Sequence, residues 1–96
     1  MRRDDVLAIL GAHRDELRRH RVRSLALFGS TARDQARAES DVDFLVELER
    51  PAGYFTLFAL QHYLEDLLGR PVDLVPRDAL RPDVRDQALG EAIEVA

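Results

Sequence analysis

Leu25-Ala26-Leu27-Phe28-Gly29-Ser30, followed after ten residues by Asp41-Val42-Asp43, is the most informative part of this chain. An apolar run that ends in Gly-Ser is typical of a buried strand that turns directly into a helix. The first N–H groups of such a helix lack partners within it and bind phosphate oxygens well. Asp41 and Asp43 are two apart on a second predicted strand, so both carboxylates point to one face, where they can hold divalent cations. The two runs together indicate a nucleotide site.

These motifs resemble the signature of the DNA-polymerase-β-like nucleotidyltransferases. That family also has a third acidic residue on a later strand, and Val72-Asp73-Leu74-Val75 supplies one here. The short chain is similar to the smallest branch of the family, the minimal nucleotidyltransferases that pair with HEPN-domain proteins in toxin–antitoxin modules. The resemblance covers nearly the whole chain. It implies an α/β (α+β) fold, a small mixed β-sheet packed with helices and similar to the palm of polymerase β.

The three acids have a chemical reason to lie together. Nucleotidyl transfer needs an activated hydroxyl, an α-phosphate held in line and a neutralised pyrophosphate, and two metal ions about 4 Å apart serve all three needs. A triphosphate does not approach bare carboxylates, so cations are an obligatory part of such a site. We predict that Asp41, Asp43 and Asp73 are catalytic and bind two Mg²⁺ ions, with Mn²⁺ as a substitute. Taken alone, Asp41 and Asp43 could simply lie on a solvent-exposed strand face. That alternative does not explain why they follow Gly-Ser at this spacing, or why a third acid occurs downstream.

Gly29, Ser30 and Arg33 are the predicted nucleotide-binding residues. Glycine lets the backbone turn sharply and approach a phosphate closely. Ser30 can bond a β- or γ-phosphate and cap the helix at the same time. Arg33 follows one helical turn later, where its guanidinium can bond the triphosphate with two parallel hydrogen bonds. Tyr54 is the candidate for stacking on the base.

Length, charge and cysteine content argue against several classes of protein. The chain has 96 residues, a net charge of −4 and no cysteine, which predicts a single domain over 1–96 without disulfides or thiolate metal sites. There is no apolar stretch of membrane-spanning length and no signal-peptide pattern, so we expect a cytoplasmic protein. The negative charge argues against nucleic-acid binding through the whole surface. All 14 basic residues are arginine, and a basic first segment could still dock an acidic partner.

Hydrophobic spacing predicts the secondary structure. The aromatic residues Phe55, Phe58 and Tyr63 match the spacing of a buried helix face. The predicted helices are one capped by Asp4 or Asp5 that runs to about His20, a short helix or helical turn from Ser30 to about Arg37, a helix over 55–68 ended by Gly69, and one from Pro82 to about Leu89. The predicted strands are 22–28, 41–48, 71–75 and 92–95.

The acceptor is expected to be a protein. Larger relatives carry an added domain that holds the acceptor, and this chain has no residues left for one. The resemblance therefore implies transfer of AMP from ATP to a tyrosine of a cognate HEPN-domain ribonuclease toxin, within a hetero-oligomer in which this chain is the antitoxin. An alternative is a non-catalytic binding module that neutralises its partner by occlusion. A standalone antibiotic-modifying transferase is disfavoured because the acceptor domain is missing.

Overall fold

The computed structural model describes residues 2–33, 41–49, 53–83 and 90–95. None of the helices in these residues combines the length and the apolar composition that a membrane span requires. The elements in chain order are α1 (Arg3–Gly11), α2 (Arg14–Arg19), β1 (Val22–Phe28), α3 (Gly29–Ala32), β2 (Val42–Leu48), α4 (Tyr54–Leu68), β3 (Val72–Pro76), a single 3₁₀ turn (Arg77–Ala79) and β4 (Ile93–Glu94).

The strands form one mixed sheet in the order β3-β2-β1-β4. β1 runs antiparallel to β2 and to β4, whereas β2 and β3 are parallel. Parallel neighbours need a crossover connection, and α4 provides it between β2 and β3. The predicted fold class, a small mixed sheet packed with helices, is confirmed.

The core lies between one face of the sheet and the helices. Residues at alternate positions of β2 point to the core face of the sheet, and Asp43, which lies between two of them, points to the opposite face. Leucines four residues apart on α4 pack against this face. The largest contributors, all with 2% exposure or less, are Val6, Leu10, Leu17, Leu25, Leu27, Val42, Phe44, Val46, Leu60 and Leu64.

The predicted first helix is in fact two helices, α1 and α2, with a break after Gly11. In a continuous helix the carbonyl of Ile9 would accept a hydrogen bond from the N–H of His13. Instead the His13 ring donates from Nδ1 to that carbonyl at 2.7 Å, and the His13 N–H bonds Leu10 O at 3.0 Å. The side chain thus takes the place of the helical bond, and Gly11 lowers the cost of stopping there.

The ends of several elements differ from the prediction by a residue or two. α1 begins at Arg3, ahead of the predicted Asp4 or Asp5, because Asp5 Oδ2 accepts a bond from the Arg2 N–H at 3.3 Å. β2 begins at Val42, so Asp41 lies just ahead of the strand. The other differences are a start at Tyr54 for α4, a span of Val72–Pro76 for β3 and a span of Ile93–Glu94 for β4.

Two predicted helices extend beyond the described residues. The helix expected from Ser30 to Arg37 is described only as far as Arg33, and within that part α3 ends at Ala32. The helix expected over Pro82–Leu89 is described only at 82–83.

Phe55 and Phe58 are exposed, contrary to the prediction that they are buried. Their exposed fractions are 91% and 53%. They precede Leu60 by five and two residues, which places them away from its side of a helix with 3.6 residues per turn. Tyr63, the third aromatic, is partly buried and stacks on the ring of His20 with 4.7 Å between centroids.

Candidate active site

Asp43 and Asp73 lie side by side on neighbouring strands. The parallel register of β2 and β3 pairs Val42 with Val72 and Asp43 with Asp73. Residues paired in this way point to the same face of a sheet, on strands about 4.8 Å apart. Asp41 is exposed and directly precedes β2. The structure therefore brings the second and third predicted acids together, with the first beside them.

The electrostatics of Asp43 reflect this crowding. Its pKa is raised above the usual value, first by burial of the carboxyl and then by the negative charges of Asp73 and Asp41. The positive charge of Arg33 acts in the opposite direction and lowers the same pKa. The charges of Asp73 and Asp41 thus disfavour the ionised form of Asp43, and a cation bound beside it would offset this effect.

The turn from β1 into α3 brings the backbone against Asp43. Phe28, the last residue of β1, lies directly opposite Asp43 in the antiparallel pair of β1 and β2. Gly29 follows with φ +75°, and a Cβ at this position would lie 2.5 Å from Asp43 Oδ2. Glycine is needed here both because this φ disfavours other residues and because the space is filled by the carboxylate.

Ser30 lies in the first turn of α3 and does not cap it. The helix begins at Gly29 with Phe28 in the N-cap position, and no side chain caps the helix. The prediction that Ser30 acts as the cap is therefore wrong, because the turn begins one residue earlier. Its N–H is still one of the groups that have no partner within a first turn.

Arg33 lies at the end of α3, and its guanidinium is held by a distant glutamate. Nη1 of Arg33 donates to Glu91 Oε2 at 3.3 Å, with both side chains about half exposed. The effect of Arg33 on the pKa of Asp43 places it near the acids as well. Glu91 had no signal in the sequence, since it is 58 residues away from Arg33.

Tyr54 is not brought to the acids. It lines a cavity of about 580 Å³ together with Val46, Glu47 and Leu48. These three residues end β2, whereas Asp43 is near its beginning. The structure therefore places the candidate base-stacking residue at the opposite end of the strand.

The donor set suits a hard cation. Carboxylate oxygens are the ligands that Mg²⁺ prefers, usually with several waters and substrate phosphates. Within the described part of the chain, no three or more His, Cys, Asp or Glu side chains already form a metal cluster. Burial and, after it, the negative charges of Asp73 and Asp41 raise the pKa of Asp43, and a bound divalent cation would offset both effects.

A mixed sheet with a Gly-Ser turn beside paired aspartates defines the nucleotidyltransferase class. The chain belongs to the nucleotidyltransferase domain family, whose sequence model matches residues 10–95. The predicted family and the predicted enzyme class are thereby confirmed.

The chain resembles several known proteins over most of its length. The protein adenylyltransferase MntA of Thermococcus cleftensis is 40% identical over 93 residues, which cover 96% of this chain and 94% of that protein. A solved structure provisionally described as a minimal nucleotidyltransferase is 38% identical, with a TM-score of 0.86 and coverage of 97% and 95%.

Two more distant structures share the fold. A toxin–antitoxin complex with AMP-PNP has a TM-score of 0.71 at 20% identity and covers 90% of this chain and 72% of that chain. A chain from the complex of a tri-AMPylated Shewanella oneidensis HEPN toxin with an MNT antitoxin has a TM-score of 0.66 at 18% identity. The match covers 94% of this chain and 71% of that chain.

Proposed function

We propose that this chain transfers AMP from ATP to a protein hydroxyl, a tyrosine of a cognate HEPN-domain toxin, and thereby acts as its antitoxin. The observation that carries the proposal is the register of Asp43 with Asp73 beside the Gly29 turn. The relative from Thermococcus cleftensis, a protein adenylyltransferase, supports the reaction. The fold neighbour bound to an AMPylated HEPN toxin supports the partner and the transferred group.

Asp41, Asp43 and Asp73 would hold two Mg²⁺ ions. When bound, these cations would supply the neutralising charge that lets a triphosphate approach the acids and lets pyrophosphate leave. The burial of Asp43 strengthens its interaction with any cation beside it, because water screens that interaction less.

Gly29, Ser30 and Arg33 would bind the triphosphate. The turn at Gly29, which a residue with a Cβ would not fit beside Asp43, would direct the first N–H groups of α3 at the phosphate oxygens. Ser30 would donate from its N–H and its hydroxyl. Arg33 would exchange its bond with Glu91 for a bidentate bond to phosphate, which is stronger because phosphate carries more charge.

The partner would present the acceptor hydroxyl. The described residues form one sheet with its helices, so the described part of the chain offers no separate acceptor-binding domain. Each AMP would add bulk and a negative charge near the RNA-binding site of the toxin. Phosphate repulsion and steric block would then oppose RNA entry.

Occlusion without catalysis is the second candidate function, and one observation favours it. Tyr54, Phe55 and Phe58 are 79%, 91% and 53% exposed on the first two turns of α4. Exposed aromatic side chains are enriched where proteins bind one another. A partner bound there would be neutralised without any modification.

One experiment separates the two functions. The cognate HEPN protein is incubated with α-labelled ATP, Mg²⁺ and either wild type, Asp41→Asn or Asp43→Asn, and its intact mass is measured. We expect an added AMP with wild type and none with either variant, whereas Asp4→Asn, an exposed carboxylate on α1, should behave as wild type. Asp41→Asn should also fail to protect cells from the toxin. Full protection by Asp41→Asn with an unmodified toxin would establish occlusion instead.

A further inference from the structure

The main chain of Val72, the residue before Asp73, is bonded by two side chains of α4. Gln61 Nε2 donates to the Val72 carbonyl at 3.0 Å. The Val72 N–H donates to Glu65 Oε2, also at 3.0 Å. Both bonds are partly buried. Since Gln61 and Glu65 are four apart, they lie on one side of the helix and reach the same residue.

These bonds occupy the open edge of the sheet. β3 is an edge strand, with β2 on one side only. The Pro71 carbonyl accepts a bond from the Val42 N–H at 3.0 Å, so the alternation of a parallel ladder turns the polar groups of Val72 away from β2. The backbone N–H and C=O groups on the outer side of an edge strand have no neighbouring strand to bond, so they must form hydrogen bonds with other groups. Gln61 and Glu65 satisfy both of them.

The position of Val72 determines where Asp73 lies. The Val72 side chain is buried in the core at 4% exposure, and Asp73 follows on the opposite face, in register with Asp43. A shift of β3 along its axis, or a twist of its edge, would therefore change the spacing of the two carboxylates. The bonds from α4 oppose such a movement from the side that β2 leaves open.

We propose that Gln61 and Glu65, together called the edge pair, are positioning residues that keep Asp73 opposite Asp43 in the geometry that binds the metal. The inference rests on the proposed function, because it takes Asp73 to be part of the metal site. A purely structural role for the edge pair would lower thermal stability alone. A positioning role also weakens metal binding in protein that remains folded.

The test measures Mn²⁺ binding by calorimetric titration of the metal-free chain, well below the melting temperature of each variant. Gln61→Ala and Glu65→Ala should each bind Mn²⁺ roughly tenfold more weakly, the lower end of the loss seen when a group that orients a metal ligand is removed. Gln61→Met keeps the length of the side chain and removes only the donor, so it should show the same loss even if the alanine variant unfolds. Glu65→Gln retains an acceptor oxygen and should restore binding.

Matched controls are available one residue further along the same helix. His62→Ala and Asp66→Ala remove exposed side chains next to Gln61 and Glu65, and we expect them to bind Mn²⁺ as wild type does. Hydrogen exchange of the Val72 amide gives a second readout, which should become faster in Glu65→Ala and not in Asp66→Ala.

Two outcomes would contradict different claims. Wild-type Mn²⁺ affinity in a folded Gln61→Met or Glu65→Ala chain would overturn the positioning role. The effect of the edge pair on AMP transfer is a separate measurement. The Mg²⁺ concentration that gives half-maximal labelling of the toxin should rise in the same variants. Absence of labelling by wild type itself would overturn the proposed function, whatever the variants bind.

Discussion

Gly29 and Asp43 lie so close together that a side chain at position 29 would occupy the space of the carboxylate. The distance from an added Cβ to Asp43 Oδ2 would be 2.5 Å, and Gly29 has φ +75°. The backbone that we propose to bind phosphate and the carboxylate that we propose to bind metal are therefore in direct contact. This contact joins the Gly-Ser motif to the Asp-x-Asp motif across the β1–β2 pair.

Gly29→Ala should lose both stability and transfer activity. The left-handed backbone costs about 1–2 kcal/mol for a residue with a Cβ, and the Cβ would also push the Asp43 carboxylate aside. Urea unfolding measures the first effect and labelling of the toxin measures the second. Gly69→Ala is the control, because Gly69 has φ +66° with nothing within 4 Å of an added Cβ. It should lose only the stability that the left-handed backbone costs and should keep its activity; equal activity in the two variants would contradict the contact.

Asp43→Asn should melt at a higher temperature than wild type in EDTA. The folded protein raises the pKa of Asp43 above 3.8, so the native state holds this proton to a higher pH than the unfolded chain does. Between these two pKa values the native state binds more protons, and the free energy of unfolding falls as pH rises. Asparagine does not titrate, so the free energy of unfolding of Asp43→Asn does not fall in this way as pH rises. Its advantage should be small at low pH and fully developed at neutral pH.

Calorimetry in EDTA over a series of pH values checks this expectation. Asp66→Asn, which changes an exposed carboxylate on α4, should show no such advantage. Mg²⁺ with ATP should stabilise wild type and leave Asp43→Asn unchanged, because only a state that binds the ligand is stabilised by it. A lower melting temperature for Asp43→Asn in EDTA would show that neither burial nor the neighbouring carboxylates disfavour the charge of Asp43 in the folded protein.

Arg33→Ala should weaken the use of ATP. A hydrogen bond to a charged group contributes about 1.5–3 kcal/mol, so kcat/KM for ATP should fall by roughly ten- to a hundredfold. Arg23→Ala is the matched control, since Arg23 is ion-paired with Glu47 at 3.3 Å near the other end of the strands. Unchanged kinetics in Arg33→Ala would remove this residue from the nucleotide site.

Glu91→Gln should have the opposite effect and lower the KM for ATP. Glu91 is ion-paired with the guanidinium of Arg33 at 3.3 Å and would compete with a phosphate for it. An exposed pair of this kind contributes about 0–1 kcal/mol, so the gain is limited to about fivefold. Steady-state kinetics with varied ATP measure it, and the double variant with Arg33→Ala should lose the gain. A KM that rises in Glu91→Gln would mean that Glu91 supports nucleotide binding.

Leu60→Ala and Phe55→Ala should differ sharply in stability although both lie on α4. Leu60 is fully buried and Phe55 is 91% exposed. Loss of a buried leucine side chain costs about 2–5 kcal/mol, whereas an exposed substitution changes the free energy of unfolding by about 0.5 kcal/mol or less. Urea unfolding of both variants checks the difference. Similar losses for the two would place Phe55 in the core after all.

Local patterns predicted the elements around the site well and failed where side chains compete with the backbone. The apolar run before Gly29 predicted β1 correctly, because a buried strand and a sharp turn each have a local composition. The break after Gly11 was missed, because it depends on the His13 ring taking the Ile9 carbonyl. Phe55 was misplaced because hydrophobic character alone does not say which side of a helix is covered.

Sequence alone was sufficient for the family and the mixed sheet, whereas the predicted shared strand face of Asp41 and Asp43 stays a prediction, because β2 begins only at Val42. The family and the sheet follow from residue type and from spacings within one element, where the geometry of the backbone repeats every two or 3.6 residues. The pairing of Asp43 with Asp73, and the bonds that Gln61 and Glu65 make to Val72, arise only on folding. They depend on strand order and register, which the packing of the whole core selects and no single segment encodes.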